Sequence, residues 1–487
     1  MGVIKLLQTS MLWGVLSAPM FLVSQTGVAQ TSELPELGDS ATLFLSPVQE
    51  AAVGKIFYRS LVADPLYVSD YELRDYMQNL GLDVGKYADL RGIPLTFSLV
   101  KDNNLNAFAV PGGYITFNTG LLMATDSESE LASVVGHEIA HLTQRHLPRL
   151  LAKADEQKIP ALAAIIGSIL IGGQAGIAGI TATNAALLSN QLSYSRAFEQ
   201  EADAIGIRLL AEAQYDPRSM AEFFGKLERF TRHDNTEIPA FLKTHPLSYT
   251  RVAESEARAS EYPPQPRADS FEYFLARARI RALFVERQDD PLLFFDDQIK
   301  SDQKLERQAA RYGIAAAYLK NRDYKNADLA LQPLVKSYPE HPWIQTMDAR
   351  IQQKQGNIDE AIAKFDDLSK LHPQKLFISY YQAKAYLDND QTDLAIKILR
   401  YQIRRNSEDY VLYSLLSDAY AENQLYVEAH QAKAEYYALL GNYQKAIAVL
   451  KLALKETGED GYLGQSIKAR IPELEEQARF LKASSKL

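Results

Sequence analysis

The pentapeptide His137-Glu138-Ile139-Ala140-His141 sets two imidazoles and one carboxylate at a spacing that can do metal chemistry. On a helix, residues four apart project from one face, so both rings can reach one ion through a ring nitrogen. Glu138, next to the first ring, is aimed beside that ion rather than at it. Zinc lowers the pKa of a bound water toward about 7, and a neighbouring carboxylate can then take its proton as the water attacks a peptide carbonyl. The expected chemistry is zinc-assisted hydrolysis of peptide bonds, with His137 and His141 as ligands and Glu138 as general base.

A catalytic zinc also needs a third protein ligand and one open position. The chain has no cysteine, so soft ligands must come from its eight histidines and hard ones from carboxylates. The best carboxylates stand in Phe198-Glu199-Gln200-Glu201-Ala202-Asp203, which begins its acidic run 58 residues after His141. Spacing alone leaves Glu199 and Glu201 nearly equal as the ligand. Asp203, one turn beyond Glu199, can accept a hydrogen bond from the free ring nitrogen of a ligand histidine and fix its tautomer. His146, His233, His341, His372 and His430 have no ligand spacing and read as structural or solvent-facing.

The elements that must position these groups are also legible. From Ser127 to Leu150 the pattern is helical, with Ser127 and Glu130 as a capping-box signature and Leu131, Val134, Val135, Ile139 and Leu142 as an apolar stripe. A second helix is expected over Ser193 to Glu212, closing near Tyr215-Asp216-Pro217. Upstream, residues 46–62 carry Val53, Ile56, Phe57 and Leu61 at helical spacing, and another helix is expected over Val68 to Leu80. Leu95 to Val100 alternates as a strand does, and Ala107 to Phe117 reads as two strands around Pro111-Gly112-Gly113. Between Lys158 and Arg196 no residue carries a formal charge. Its glycines and amides favour a helical hairpin beside the site over a membrane span. Peripheral membrane contact through 159–191 is the alternative.

These motifs resemble the M48 zinc metallopeptidases, in which HExxH is followed by a second helix bearing E-x-x-A-D. The likeness runs over Gly136 to His141, over Glu199 to Asp203 with Gly206 behind, and over Tyr215-Asp216-Pro217, and covers about residues 45–260. It implies Glu199 as the third zinc ligand and Asp203 as the acid behind a ligand histidine. Thr244-His245-Pro246-Leu247 with Arg251 matches the family segment H-P-x4-R, which lies against the active site and implies His245 and Arg251 near the oxyanion. Two roles fit His245: a donor to the oxyanion, or a fourth zinc ligand that displaces the water and silences the enzyme. A plainer reading has it cap a helix start before Pro246. Phe108 to Thr116 resembles the family's edge strand beside the cleft, which would offer backbone groups to an extended substrate.

With 487 residues, 47% hydrophobic and 23% charged, the chain can build two or three cores. A net charge of -9 leaves no basic footprint for nucleic acid, which is excluded as a partner. Lys5, the apolar run Leu12 to Val23 and the small residues before Gln30 read as a secretory signal peptide, residues 1–29, cleaved after Ala29. The absence of cysteine rules out a lipoprotein anchor and a disulfide framework.

The segment Glu261 to Arg267 reads as a linker, and beyond it the sequence repeats. Ala327, Ala361, Ala395 and Ala429 fall 34 apart, as do Tyr318, Gln352, Tyr386 and Tyr420. This resembles the tetratricopeptide repeat, in which the alanine lets two helices approach. The expected architecture is an α+β zincin-like metallopeptidase domain, mostly helical with a small sheet, over 30–260, a linker over 261–270, and an all-α repeat solenoid over 271–487. The order of export signal, peptidase and repeats resembles a family of bacterial periplasmic proteases associated with quality control of outer-membrane proteins. That likeness implies misassembled outer-membrane proteins as substrates, outer-membrane assembly machinery as a partner of the repeats, and chaperone activity. The competing expectation is a chaperone or adaptor whose metal site is latent.

Overall fold

The computed structural model describes residues 45–153, 194–233, 239–284, 291–458 and 461–483. The expected signal peptide and the uncharged hairpin 159–191 lie outside the described residues. Among the described residues no helix is long and apolar enough to cross a membrane.

Helix α1 (Pro47–Val62) opens on a reciprocal cap, in which Ser46 accepts from the Gln49 amide and the Gln49 side chain accepts from the Ser46 amide at 2.9 Å. Its residues Val53, Phe57 and Leu61 are buried. Helix α2 (Tyr71–Gly85) starts later than the apolar pattern suggests. The Asp70 carboxylate takes the Leu73 amide at 3.1 Å and sets the first turn. Val68 instead donates to the Leu99 carbonyl at 3.0 Å, so it belongs to the sheet's margin.

The sheet contains β1 (Thr96–Val100), β2 (Ala107–Val110) and β3 (Tyr114–Asn118) in the order β1-β3-β2. β1 runs parallel to β3 with Phe97 beside Ile115, and β2 runs antiparallel to it with Phe108 beside Thr116. The β2–β3 turn needs its two glycines, because Gly112 and Gly113 have φ of 88° and 95°. A Cβ on Gly113 would also lie 1.9 Å from the Pro94 carbonyl oxygen. Among the described residues β2 is an edge strand.

After α3 (Thr119–Ala124), helix α4 (Glu128–Thr143) carries the expected stripe, all of it buried. The Ser127 hydroxyl accepts from the Glu130 amide at 3.1 Å, but the Glu130 carboxylate closes the box one residue earlier, on the Asp126 amide at 2.7 Å. The expected single helix to Leu150 is broken. Arg145 turns into the left-handed region at φ 52°, held by Glu50 at 2.8 Å and the Leu45 carbonyl at 2.7 Å. Helix α5 (His146–Lys153) begins beyond that turn.

Helix α6 (Arg196–Glu212) follows, capped by Ser195, and then α7 (Ser219–His233), α8 (Ala240–Thr244) and α9 (Tyr249–Ser260). Helices α4 and α6 cross where two glycines meet. A Cβ on Gly136 would stand 3.2 Å from the Gly206 carbonyl oxygen, and one on Gly206 would stand 3.2 Å from the His137 amide. Residues 261–270 are tied down on this part rather than loose. Gln265 donates to the Ala211 carbonyl at 3.2 Å, and the Arg267 guanidinium lies 3.9 Å over the Tyr215 ring.

Helices α10 (Phe271–Phe284) and α11 (Pro291–Gln298) lead into antiparallel pairs. These are α12 (Lys304–Lys320) with α13 (Tyr324–Ser337), α14 (Pro342–Gln355) with α15 (Ile358–Leu371), α16 (Leu376–Asp388) with α17 (Thr392–Arg405), and α18 (Tyr410–Glu422) with α19 (Tyr426–Leu439). Helices α20 (Tyr443–Thr457) and α21 (Tyr462–Ala483) follow. The four alanines that repeat in the sequence are buried in the second helix of each pair. The turns within the pairs share one device. Arg322, Gly356, Asp390 and Gln424 have φ of 62°, 94°, 54° and 60°, again 34 apart. The next amide returns in each case to the carbonyl of Tyr318, Gln352, Tyr386 or Tyr420 at 2.8–3.0 Å. Gln352 can stand where the other pairs have tyrosine because the turn is closed by backbone.

Helix α2 lies against α10 and the later pairs through charge as well as apolar contact. Arg279 on α10 reaches Asp70 at 2.7 Å and Glu72 at 2.9 Å, Lys375 reaches Asp75 at 2.7 Å, and Asp409 accepts from Tyr71 at 2.9 Å.

Candidate metal centre

The glycine crossing of α4 and α6 sets His137 and His141 against Glu199 and Asp203. Helix α8 ends at His245, which it delivers to the same point, and the Ser248 hydroxyl caps α9 so that Arg251 enters from behind. The side chains of His137, His141, Glu199, Asp203, His245 and Arg251 are all buried. One ligand atom each from His137, His141, Glu199 and His245 falls within 4.8 Å of the other three. The Nε2 atoms of His137 and His141 are 3.0 Å apart, and His245 Nδ1 lies 3.2 Å from His137 Nε2 and 3.1 Å from Glu199 Oε1. Glu138 faces the cluster without joining it, its Oε1 3.6 Å from His245 Nε2 and without a hydrogen-bond partner.

The electrostatics suit a cation. Burial, more than any neighbour, holds the three imidazoles in their neutral form, His245 down to about 3. Neutral imidazole is the form that binds metal. Asp203 Oδ1 lies 3.0 Å from His137 Nδ1, so a proton on that nitrogen would face the carboxylate and leave the Nε2 lone pair toward the cluster. Burial works to raise Asp203, yet contacts from His137 and Arg251 outweigh it and hold the carboxyl below its ordinary range. Lone pairs and a carboxylate converging in a buried space repel one another unless a positive charge lies among them. Burial and then the charge of Glu199 push the Glu138 carboxyl well above its ordinary range.

The sequence profile of peptidase family M48 matches residues 73–259, which contain every one of these side chains. The tetratricopeptide-repeat profile matches residues 309–341 and 349–375. The beta-barrel assembly-enhancing protease of Escherichia coli (strain K12) is 32% identical over 453 residues, 92% of this chain and 92% of that one. Its Vibrio cholerae counterpart is 36% identical over 456 residues, 92% of this chain and 94% of that one. The chain belongs to peptidase family M48. A mitochondrial metalloendopeptidase, OMA1 of Arabidopsis thaliana, is 35% identical over 162 residues, 33% of this chain and 31% of that one, a likeness confined to part of each.

The structure adds the partners of two residues that the sequence named. Arg251 is not free to meet an oxyanion. Its Nε and Nη2 bind the Asp203 carboxylate at 2.8 Å each, and Nη1 lies 2.9 Å from the Pro246 carbonyl oxygen and 2.7 Å from Glu199 Oε2. Its guanidinium is spent holding the two carboxylates of α6 in place, which makes it a positioning residue. His146, read as structural or solvent-facing, is structural, and it touches a residue of the cluster. It is buried with Nδ1 2.9 Å from His141 Nδ1, because the chain turns at Arg145 and aims the ring back. Glu201 points away from the metal-ligand cluster, toward His146 at 3.1 Å. Three more residues of the site carry no motif. Tyr194 lays its ring 4.3 Å from that of His141, Phe241 stacks on His245 at 4.6 Å, and the Ala109 amide of β2 donates to the Glu138 carboxylate. Their only sequence signal was the edge-strand pattern around Ala109.

Proposed function

We propose that this M48 chain is a periplasmic zinc endopeptidase that hydrolyses peptide bonds of misassembled outer-membrane proteins. His137, His141 and Glu199 are the ligands, Glu138 is the base, and Asp203 orients His137. The observation that carries the reading is the convergence of three imidazoles and one carboxylate within 4.8 Å, with an unpartnered Glu138 oxygen facing them. Zinc in that cluster supplies a Lewis acid and lowers the pKa of a water toward about 7. Glu138 takes the proton of the attacking water and returns it to the departing amine. The Ala109 amide keeps the Glu138 carboxylate turned inward, and β2, an edge strand among the described residues, offers its other backbone groups to an extended substrate. The compartment and substrate class are supported by the export-signal pattern of residues 1–29 and by relatives named for beta-barrel assembly. The repeats are the surface for assembly partners. Dialysis against a strong chelator should abolish hydrolysis of an unfolded outer-membrane protein, and one equivalent of zinc should restore it. Hydrolysis that survives complete metal removal would sink this reading.

A second reading, in which the chain mainly holds partners as a chaperone and cleaves rarely, is favoured by one observation. His245 stands within ligand range, and four protein ligands leave a zinc no open position. We take the resting site to be closed by His245. His245→Ala should then raise basal hydrolysis several-fold, whereas an oxyanion donor would lower it on removal. A fall in initial rate at saturating substrate would reject the closed-site reading.

A further inference from the structure

We propose that His146 and Glu201 form a positioning relay that fixes the His141 proton on Nδ1 and so turns its Nε2 lone pair toward the metal. The inference rests on the metal-site reading above and extends it to two residues outside the ligand set. A neutral imidazole has one N–H and one lone pair, so two that meet nitrogen to nitrogen must be donor and acceptor. His146 Nδ1 meets His141 Nδ1 at 2.9 Å, and His146 Nε2 meets Glu201 Oε2 at 3.1 Å. Arg149 Nη1 approaches the same Glu201 oxygen at 3.1 Å, keeping that carboxylate charged and unable to donate. The proton at that end therefore sits on His146 Nε2, which leaves His146 Nδ1 bare. His141 must then present Nδ1–H, with its lone pair on Nε2, the atom 3.0 Å from His137 Nε2. The ring of His146 cannot swing out of this line, because it stacks on Phe198 at 4.5 Å with 13° between the planes. The two HExxH histidines are thus anchored differently. His137 meets its carboxylate, Asp203, directly at 3.0 Å, whereas His141 reaches Glu201 through a second imidazole.

Two substitutions in the full-length protein separate an acceptor from a packing residue. His146→Asn keeps an acceptor near the Nδ1 position and loses the stack on Phe198. His146→Phe keeps the stack and offers no acceptor. Zinc affinity is read by competition with a chromophoric chelator, the ligand field by the visible spectrum of the cobalt(II)-loaded protein, and folding of the metal-free protein by circular dichroism. The relay predicts that His146→Phe binds zinc about 10–100-fold more weakly with an altered cobalt spectrum, while His146→Asn stays near the wild type. Full affinity in His146→Phe, or a loss in His146→Asn as large as that in His146→Phe, overturns it. If His146→Phe does not fold, His146→Asn decides alone, and a tenfold loss there overturns the relay. Failure of the wild type to bind zinc is a separate result, and it overturns the metal-site reading itself.

Discussion

Glu138→Gln should lower kcat by about 10²–10⁴-fold while the protein keeps its metal and its KM. Glutamine has nearly the same shape, so its side-chain oxygen can still accept the Ala109 amide. What it cannot do is take a proton. No metal is lost, because Glu138 lies outside the ligand cluster of His137, His141, Glu199 and His245. Steady-state cleavage of an unfolded outer-membrane protein over a range of concentrations, with bound zinc measured on the same sample, gives all three quantities. A variant that cleaves at the wild-type rate would show that the base lies elsewhere. The same variant separates the two readings of the chain, since a holding function should survive it intact.

The second large effect is on stability. Arg279→Leu should destabilise the fold by about 3–5 kcal/mol, the range for removing one partner of a buried charge cluster. Arg279 donates to Asp70 at 2.8 and 2.7 Å and to the Tyr312 hydroxyl at 2.8 Å, and its Nη2 also lies 2.9 Å from Glu72. Both Arg279 and Glu72 are buried, so leucine leaves carboxylates out of water without their main counter-ion. Arg350 also pairs with Glu72, at 3.5 Å, but makes no such contact with Asp70, so it offsets only part of the loss. Urea unfolding would measure the loss, and a change under about 1 kcal/mol would mean that water reaches the cluster. This cluster also limits what truncation can teach. Cutting the chain after the linker removes Arg279, Lys375 and Asp409 together, so lost activity in the fragment would report the collapse of α2 and not the absence of a binding surface. Point variants on the outer faces of the later helix pairs are the cleaner probe of partner capture.

How much of this was legible in the sequence depended on the range of the interaction. The helix bearing His137 and His141, the hairpin around Gly112-Gly113 and the 34-residue period are local patterns, and the structure contains all three. Gly136 and Gly206 were seen only as part of the family pattern, and the structure gives them their reason, since the backbones of α4 and α6 touch there. What escaped depended on side chains meeting from distant segments or on single backbone reversals. His146 has no helical relation to His141, since the left-handed Arg145 intervenes. The start of α2 was misplaced because a strand-like bond at Val68 and a carboxylate cap at Asp70 overrode an apolar pattern that ran straight through. Arg251 was found, but its partners were not. A motif tells that an arginine is near the site, and only the geometry tells that Asp203, Glu199 and Pro246 already use up its guanidinium.

The left-handed turns inside the helix pairs bear on how such a chain can diverge. Only one of the four turn positions is glycine, and arginine, aspartate and glutamine serve at the others. An L-residue in that conformation costs roughly 1–2 kcal/mol, which the backbone bond closing each turn helps to offset. The length of each unit is therefore held by main-chain geometry more than by residue identity. Mutation can erase the letters while the spacing persists, and the repeat profile stops at residue 375 although the same turn recurs at Asp390 and Gln424. Relatives of this chain should accordingly keep the superhelix long after their repeats have ceased to look alike.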